Sequence, residues 1–540
     1  MFRARSRYQL VALTSVALFV LAGSLGTAGA QPVRTHAGAS KALILDVNTG
    51  QDTLDPAVTV QFGPASTIDA LYGRLTILGL VPGPSGTLRT DPTSIKPSLA
   101  TSWKLTNNNT VYTFSLRHNA HLANGHLITA ADMKYMFDRN LKMGTGGNYF
   151  TEDGITGNVK STAVTGKFTF VVTLKHPDPN ILQSWATPDM GAIDPTIVQA
   201  HGGVQAGKVN TWVAGHGAGF SGAFVLTSYQ PDNQIVFKAN PRYYGPKAGT
   251  SQIVENVIHS DSTLLLRARS GAADVTMGLS YQAVNSLKNN KNVRIIADPT
   301  TKMEELEFNN KVAPLNNVTF RKALAYAVPY QQIITKVAYG FGVPFGGPLP
   351  PAMPFYDKSL KNPYHYDLNK AKALLQQSKV PLPVTLTDTI EEGNATQEQI
   401  STIVQAIWST LGVHLTINRV APSDYTSSLF AHKTQVFMRE DGPGVIDPGY
   451  FLGYDITGCA AVNFSLSNIC IPQAEKLNAQ ARFTTSKAKR QQLFNQISRL
   501  WIADAPKINL YEMKAVTVLS GRVKRFVYGD YGFYQDWSLR

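Results

Sequence analysis

Polar and apolar residues alternate over Val111–Leu116, so that Tyr112, Phe114 and Leu116 share one face and Val111, Thr113 and Ser115 the other. That is the period of a strand with one buried face. Asn124-Gly125 marks a turn, and Thr129 stands three residues before Asp132, a capping-box variant that opens a helix. Met133, Met136, Phe137 and Leu141 give this helix one apolar stripe. The same alternation predicts strands over 42–47, 168–174, 235–238 and 413–417, and a further strand over 507–511. Ile400, Ile403, Val404, Ile407, Trp408 and Leu411 follow helical spacing and end at Gly412. Asp367 is placed to cap another helix, and 316–328 forms one that must stop before Pro329. Strands and helices alternate throughout, which predicts an α/β fold.

Composition then bounds the class. Arg3, Arg5 and Arg7 precede an apolar run and an Ala28-Gly29-Ala30 step, the layout of a signal peptide over residues 1–30. The apolar run is shorter than the ~20 residues a membrane span needs, and no cysteine stands at the cleavage site to carry a lipid. The chain is therefore expected to be exported, periplasmic or extracellular, with a retained anchor as the alternative. The roughly 510 residues that follow exceed one core and predict more than one domain. The formal charge of +14 is not gathered into a basic block or a basic-aromatic stripe, which argues against nucleic-acid binding. Cys459 and Cys470, eleven apart in an exported chain, are expected to form a local disulfide.

Several motifs occur in a telling order. Pro97-Ser98-Leu99-Ala100-Thr101-Ser102-Trp103 precedes the first strand above; Asn240-Pro241 leads to Tyr243-Tyr244-Gly245; and Ser270-Gly271 leads to Asp274-Val275. Leu306–Asn309 (LEFN) comes before a helix with Arg321, Ala323 and Leu324, and Tyr366-Asp367 before Lys370-Ala371 and Leu374-Leu375. In this order they resemble the dipeptide/oligopeptide-binding family of solute-binding proteins that serve ABC importers, over about residues 41 to 540. The resemblance implies a two-lobed periplasmic-binding-protein-like fold (type II, with an extra inserted subdomain). Lobe I would comprise 41–79, 196–303 and 508–540, with a subdomain inserted at 80–195, and lobe II would comprise 304–507. The hinge would lie near 305–309 and 509–511. It further implies a monomer that closes on a peptide or other small solute and delivers it to permease subunits, with no cofactor, metal or catalysis.

Family members hold a peptide amine with an aspartate in a W-x-x-D-x-x-D-P-x-x-F segment. Here residues 437–451 read FMREDGPGVIDPGYF. Asp441 takes that role only across an insertion of three residues, and Asp447 is expected to cap the following segment. Asn309 is a candidate for the ligand backbone, Tyr72 and Arg74 for the lobe I wall, and Trp212, with Phe220, for stacking at the rim. His118, His121 and His126 have the spacing of a metal trio but fall on a strand end and turn. No GxSxG, HExxH or CxxC motif occurs. The rival readings are a receptor for an oligosaccharide, metal chelate or other small molecule, and a secreted hydrolase.

Overall fold

The computed structural model describes residues 42–59, 67–143, 157–456, 458–459, 465–529 and 534–540; the expected signal peptide lies outside them. Two long antiparallel strands, Val293–Phe308 and Lys507–Ser520, organise the molecule. Their pairing is continuous from Val293↔Ser520 to Pro299↔Lys514, breaks, and resumes from Met303↔Glu512 to Glu307↔Lys507. Each side of the break belongs to a different half of one large sheet. Beyond the first crossing strand lie Val436–Asp441, Val384–Glu391 and Val413–Val420. Beyond the second lie Val275–Met277, Ala42–Val47, Gln252–Val257, Gln234–Ala239 and Phe224–Gln230.

Each half has its own core. Leu43, Leu45, Phe224, Phe237 and Trp537 fill one, and Leu306, Phe308, Phe320, Leu324 and Trp408 the other. A separate four-stranded antiparallel sheet contains Val111–Leu116 and packs under helix Ala130–Met143. Tyr112, Phe114 and Leu116 are buried as their alternation predicts. Asp132 accepts hydrogen bonds from the Thr129 amide and hydroxyl, both 2.7 Å, which is how the predicted cap works. The apolar stripe is shorter than expected. Met133, Met136 and Phe137 are buried, but Leu141 is 42% exposed. Asn140 takes the inward position instead, donating to the Asp189 carbonyl at 3.1 Å. Asp367 caps helix Leu368–Ser378 through the Lys370 amide at 2.9 Å, and helix Val318–Tyr326 ends before Pro329.

Cys459 and Cys470 are joined by a disulfide, S–S 2.05 Å. Closing so short a loop restricts the unfolded chain, worth about 2–3 kcal/mol. A Cys459→Ser, Cys470→Ser double variant is therefore expected to unfold at lower urea concentration. An unaltered midpoint would show that the bridge adds nothing. Among the described residues, no helix is long and apolar enough to cross a membrane.

Candidate functional site: a cleft between the two halves

In both halves the parallel strands end at the same gap. Ala42–Val47 and Val275–Met277 lead to Asn48 and Gly278, Val384–Glu391 to Gly393, and Val436–Asp441 ends beside Lys302. Open α/β sheets place ligands outside the carboxyl ends of their strands. Here the gap is a cleft of about 620 Å³, floored by Thr300, Lys302 and Met513–Thr517 of the crossing strands, a size suited to a small solute. Gly278 has φ +81, and a Cβ there would lie 2.0 Å from Asn48 Oδ1. Only glycine lets these two strand ends come together.

Where the crossing strands enter the second half, the sheet carries charge on both faces. On one face Tyr511, Glu304 and Glu440 are cross-strand neighbours in one row. Lys302 Nζ pairs with Glu440 Oε1 at 2.6 Å at the cleft. Glu304 is 5% exposed and has neither hydrogen bond nor ion pair, and the buried Tyr511 hydroxyl also lacks a partner. Burial, with Glu440 beside it, pushes the Glu304 carboxyl up to about 8.

The opposite face holds Glu305, Glu307, Asp441 and Asp455 around Arg439 and Lys507. Lys507 Nζ donates to Glu305 Oε2 and Asp455 Oδ1, each at 2.8 Å, and lies 3.8 Å from Asp441. Arg439 donates to Glu307 Oε1 at 2.7 Å and to both Asp441 oxygens at 3.1 and 2.7 Å. Burial opposes ionisation of Glu307, but Arg439 and Lys507 outweigh it and hold the carboxyl at about 2. For Glu305 burial prevails over Lys507 and the carboxyl is raised well above the usual range. Oxygens of Glu305, Glu307 and Asp441 lie within 4.8 Å of one another, a spacing that could hold a metal ion. Arg439 and Lys507 already supply the positive charge there.

The sequence candidates fall in several places. Asp441 is in this network, bound by Arg439 and by the Gly442 amide at 2.8 Å. Both of its oxygens are thus already engaged by the Arg439 guanidinium. Asn309 spends its side chain within the second half, on the carbonyls of His432 and Thr434 at 3.1 and 3.3 Å and on Asn468 at 3.0 Å. The Tyr72 hydroxyl donates to the Leu54 carbonyl at 2.8 Å and accepts from the Ala218 amide, which places it in the core with Phe220 5.8 Å away. Arg74 is buried against Asp69, whose carboxyl burial raises to about 6 despite that partner. Trp212 stacks between His201 and His216 at 3.5 and 4.6 Å. Asp447 caps helix Pro448–Asp455 and pairs with Arg490 at 2.8 Å. The three histidines part company: His118 lies on Phe168, His121 bonds the Asn119 carbonyl and His126 pairs with Asp132.

Glu304, Arg439 and Lys507 are not among the sequence candidates. A signal was present, since Glu304, Glu305 and Glu307 crowd a strand bounded by Met303 and Phe308. Charges so dense in a central strand need partners from elsewhere.

Residues 94–460 match the family described as "Bacterial extracellular solute-binding proteins, family 5 Middle", and the chain belongs to that family. Among curated relatives, the "Probable D,D-dipeptide-binding periplasmic protein DdpA" of Escherichia coli (strain K12) is 27% identical over 502 residues, 92% of this chain and 93% of that protein. "Heme-binding protein A" of Haemophilus influenzae is 24% identical, covering 82% of this chain and 83% of its own length. A solved structure of DppA from Helicobacter pylori in complex with peptide STSA superposes with a TM-score of 0.78 at 21% identity, over 92% of this chain and 98% of that one. NikA from Brucella suis in complex with Fe(III)-EDTA gives 0.79 at 19% identity, over 92% and 99%. The fold is thus the two-lobed α/β architecture of periplasmic binding proteins. The family and these relatives are binding proteins, not enzymes.

Proposed function

We propose that this protein is the exported receptor of an ABC importer, that it captures a short peptide between its lobes, and that it passes the peptide unaltered to the permease. The observation that carries the reading is the sheet itself. Its two halves present their strand ends to one cleft and are joined through two strands whose pairing breaks between Pro299 and Met303. A break in register at the crossing is where a hinge bends with least loss of hydrogen bonds. In this reading the lobes are 41–79, 196–303 and 508–540 against 304–507, and they bend at this break. Closure has its own contacts. Tyr450 donates to Asp178 at 2.8 Å and Asn180 donates to Asp447, each joining 80–195 to lobe II. The relatives add support, being named for dipeptides in several cases. The receptor acts as a monomer in the periplasm or outside the cell, after removal of residues 1–30.

Ligand that binds only the folded form raises its melting temperature, by an amount equivalent to about 2.7 kcal/mol at a hundredfold excess over Kd. A mixture of di- and tripeptides is expected to raise it, and mass spectrometry of the released ligand to show intact peptides. Stabilisation by haem, metal chelates or oligosaccharides but by no peptide would replace the peptide with that solute. Cleaved peptides would make the protein a hydrolase.

A further inference from the structure

The carboxylates around the cleft differ in one respect. Asp261 is engaged by the Ser280 amide and hydroxyl at 2.9 and 2.8 Å, and Glu440 by Lys302. Glu304 has no such partner, although it is buried and neighbours two groups that line the cleft, Glu440 and Tyr281. Next to it the Tyr511 hydroxyl is equally unused. Tyr281 is already committed, donating to the Lys514 carbonyl at 2.9 Å. A largely buried carboxyl with no side-chain partner, beside a second carboxylate, is poorly stabilised in its charged form. A cation inserted from the cleft stabilises that form, whereas an anion or an apolar group does not.

Resting on the reading of the cleft as the ligand site, we infer that Glu304, with Glu440 and the Tyr511 hydroxyl, forms the subsite for a cationic group of the ligand, an alkylammonium. Three acceptors in a row across Val436–Asp441, Val293–Phe308 and Lys507–Ser520 match the three N–H bonds of an ammonium. Glu304 and Glu440 neighbour Tyr281 and Tyr511, and Lys302 bonds Glu440 within the row. The entering ammonium therefore displaces a proton from Glu304 and competes with Lys302 for Glu440. The subsite lies on the opposite face of the sheet from Asp441, so the two carboxylates do not share a ligand group. The ammonium can come from a peptide's amino terminus or from a lysine-like side chain.

Titration calorimetry on the full chain separates these sources, with tri-alanine, N-acetyl-tri-alanine, N-acetyl-lysine amide and n-propylammonium chloride as probes. Tri-alanine is expected to bind, and to bind at least about tenfold more weakly after acetylation or in Glu304→Gln, as loss of a charged hydrogen-bonded pair requires. Tyr511→Phe, which removes only the unused hydroxyl, is expected to weaken it about threefold and serves if Glu304→Gln does not fold. If N-acetyl-lysine amide binds in a Glu304-dependent way and tri-alanine does not, the subsite stands and reads a side chain. Equal binding of tri-alanine and its acetyl derivative, unaffected by either variant, overturns the subsite while leaving peptide capture intact. If no peptide binds, peptide capture fails and n-propylammonium decides. Greater stabilisation of the wild type than of the Glu304→Gln and Tyr511→Phe variants supports the subsite, and equal stabilisation overturns it.

Discussion

The protein is expected to resist urea better at pH 5 than at pH 8, and Glu255→Gln to remove part of that difference. Glu255 is fully buried in the first half, with one oxygen accepting from the Tyr534 hydroxyl at 3.1 Å and the other, Oε1, without a partner. Burial pushes its carboxyl to about 8 against the single bond that favours ionisation. Glu304 reaches about 8 and Asp189 about 7, again chiefly through burial. Below the ordinary carboxylate range both folded and unfolded chains hold these protons. Above it the unfolded chain releases them and the folded chain keeps them, so stability falls as pH rises and levels off only above about 8. Each of these two glutamates contributes at most about 5 kcal/mol to that decline. Glu307 has the opposite sign. Its folded value of about 2 adds stability above the ordinary range, which is lost as the pH drops toward 2. The two effects place the optimum near pH 5. Urea midpoints measured from pH 4 to 9 test this; a profile flat between pH 5 and 8 in both wild type and Glu255→Gln contradicts it.

Lys507→Met is expected to cost about 3–5 kcal/mol, the usual loss when one partner of a buried ion pair is removed. Lys507 opens the second crossing strand and is bonded to Glu305 and Asp455, both buried. Burial would strip the proton from a lone lysine, yet the surrounding carboxylates raise its affinity for that proton instead. Replacing the ammonium with a thioether keeps the volume and leaves two carboxylates unpaired. Both must then take up protons or lose their positions. Glu305→Gln in the Lys507→Met background should recover a substantial part, because it removes one of the stranded charges. Urea unfolding of the two variants checks the ordering, and a Lys507→Met midpoint equal to wild type would show that the cluster is not held by its lysine. Since this cluster sits where the crossing strands enter the second half of the sheet, the same variant is expected to weaken ligand binding.

Local structure followed closely from local pattern. The alternation at Tyr112, Phe114 and Leu116, the Thr129–Asp132 cap, the Asp367 cap and the stop before Pro329 each depend on residues within a few positions of one another. Such features are set by backbone geometry and short-range hydrogen bonds, which a sequence displays directly. Leu141 shows where that legibility begins to fail, because whether a stripe residue is covered depends on the element packed against it. The ordered motifs carried the family and, through it, the two-lobed fold.

The site was less legible because its parts are distant in the chain. Asp441 and Glu440 are adjacent in sequence but point to opposite faces of one strand, and only the second lines the cleft. What occupies Asp441 is decided by Arg439 on its own strand, within reach of Glu307 from another 132 residues away. Tyr72 and Arg74 are cleft candidates through the family resemblance, but the fold turns them onto Leu54, Ala218 and Asp69. Many of the elements, the expected compartment and the family were legible in the chain alone, since each is written in spacing and order. The tertiary structure alone decided which charges meet, which are covered and which face the cleft. Those outcomes depend on strand register and on desolvation by elements hundreds of residues apart, and no local pattern encodes either.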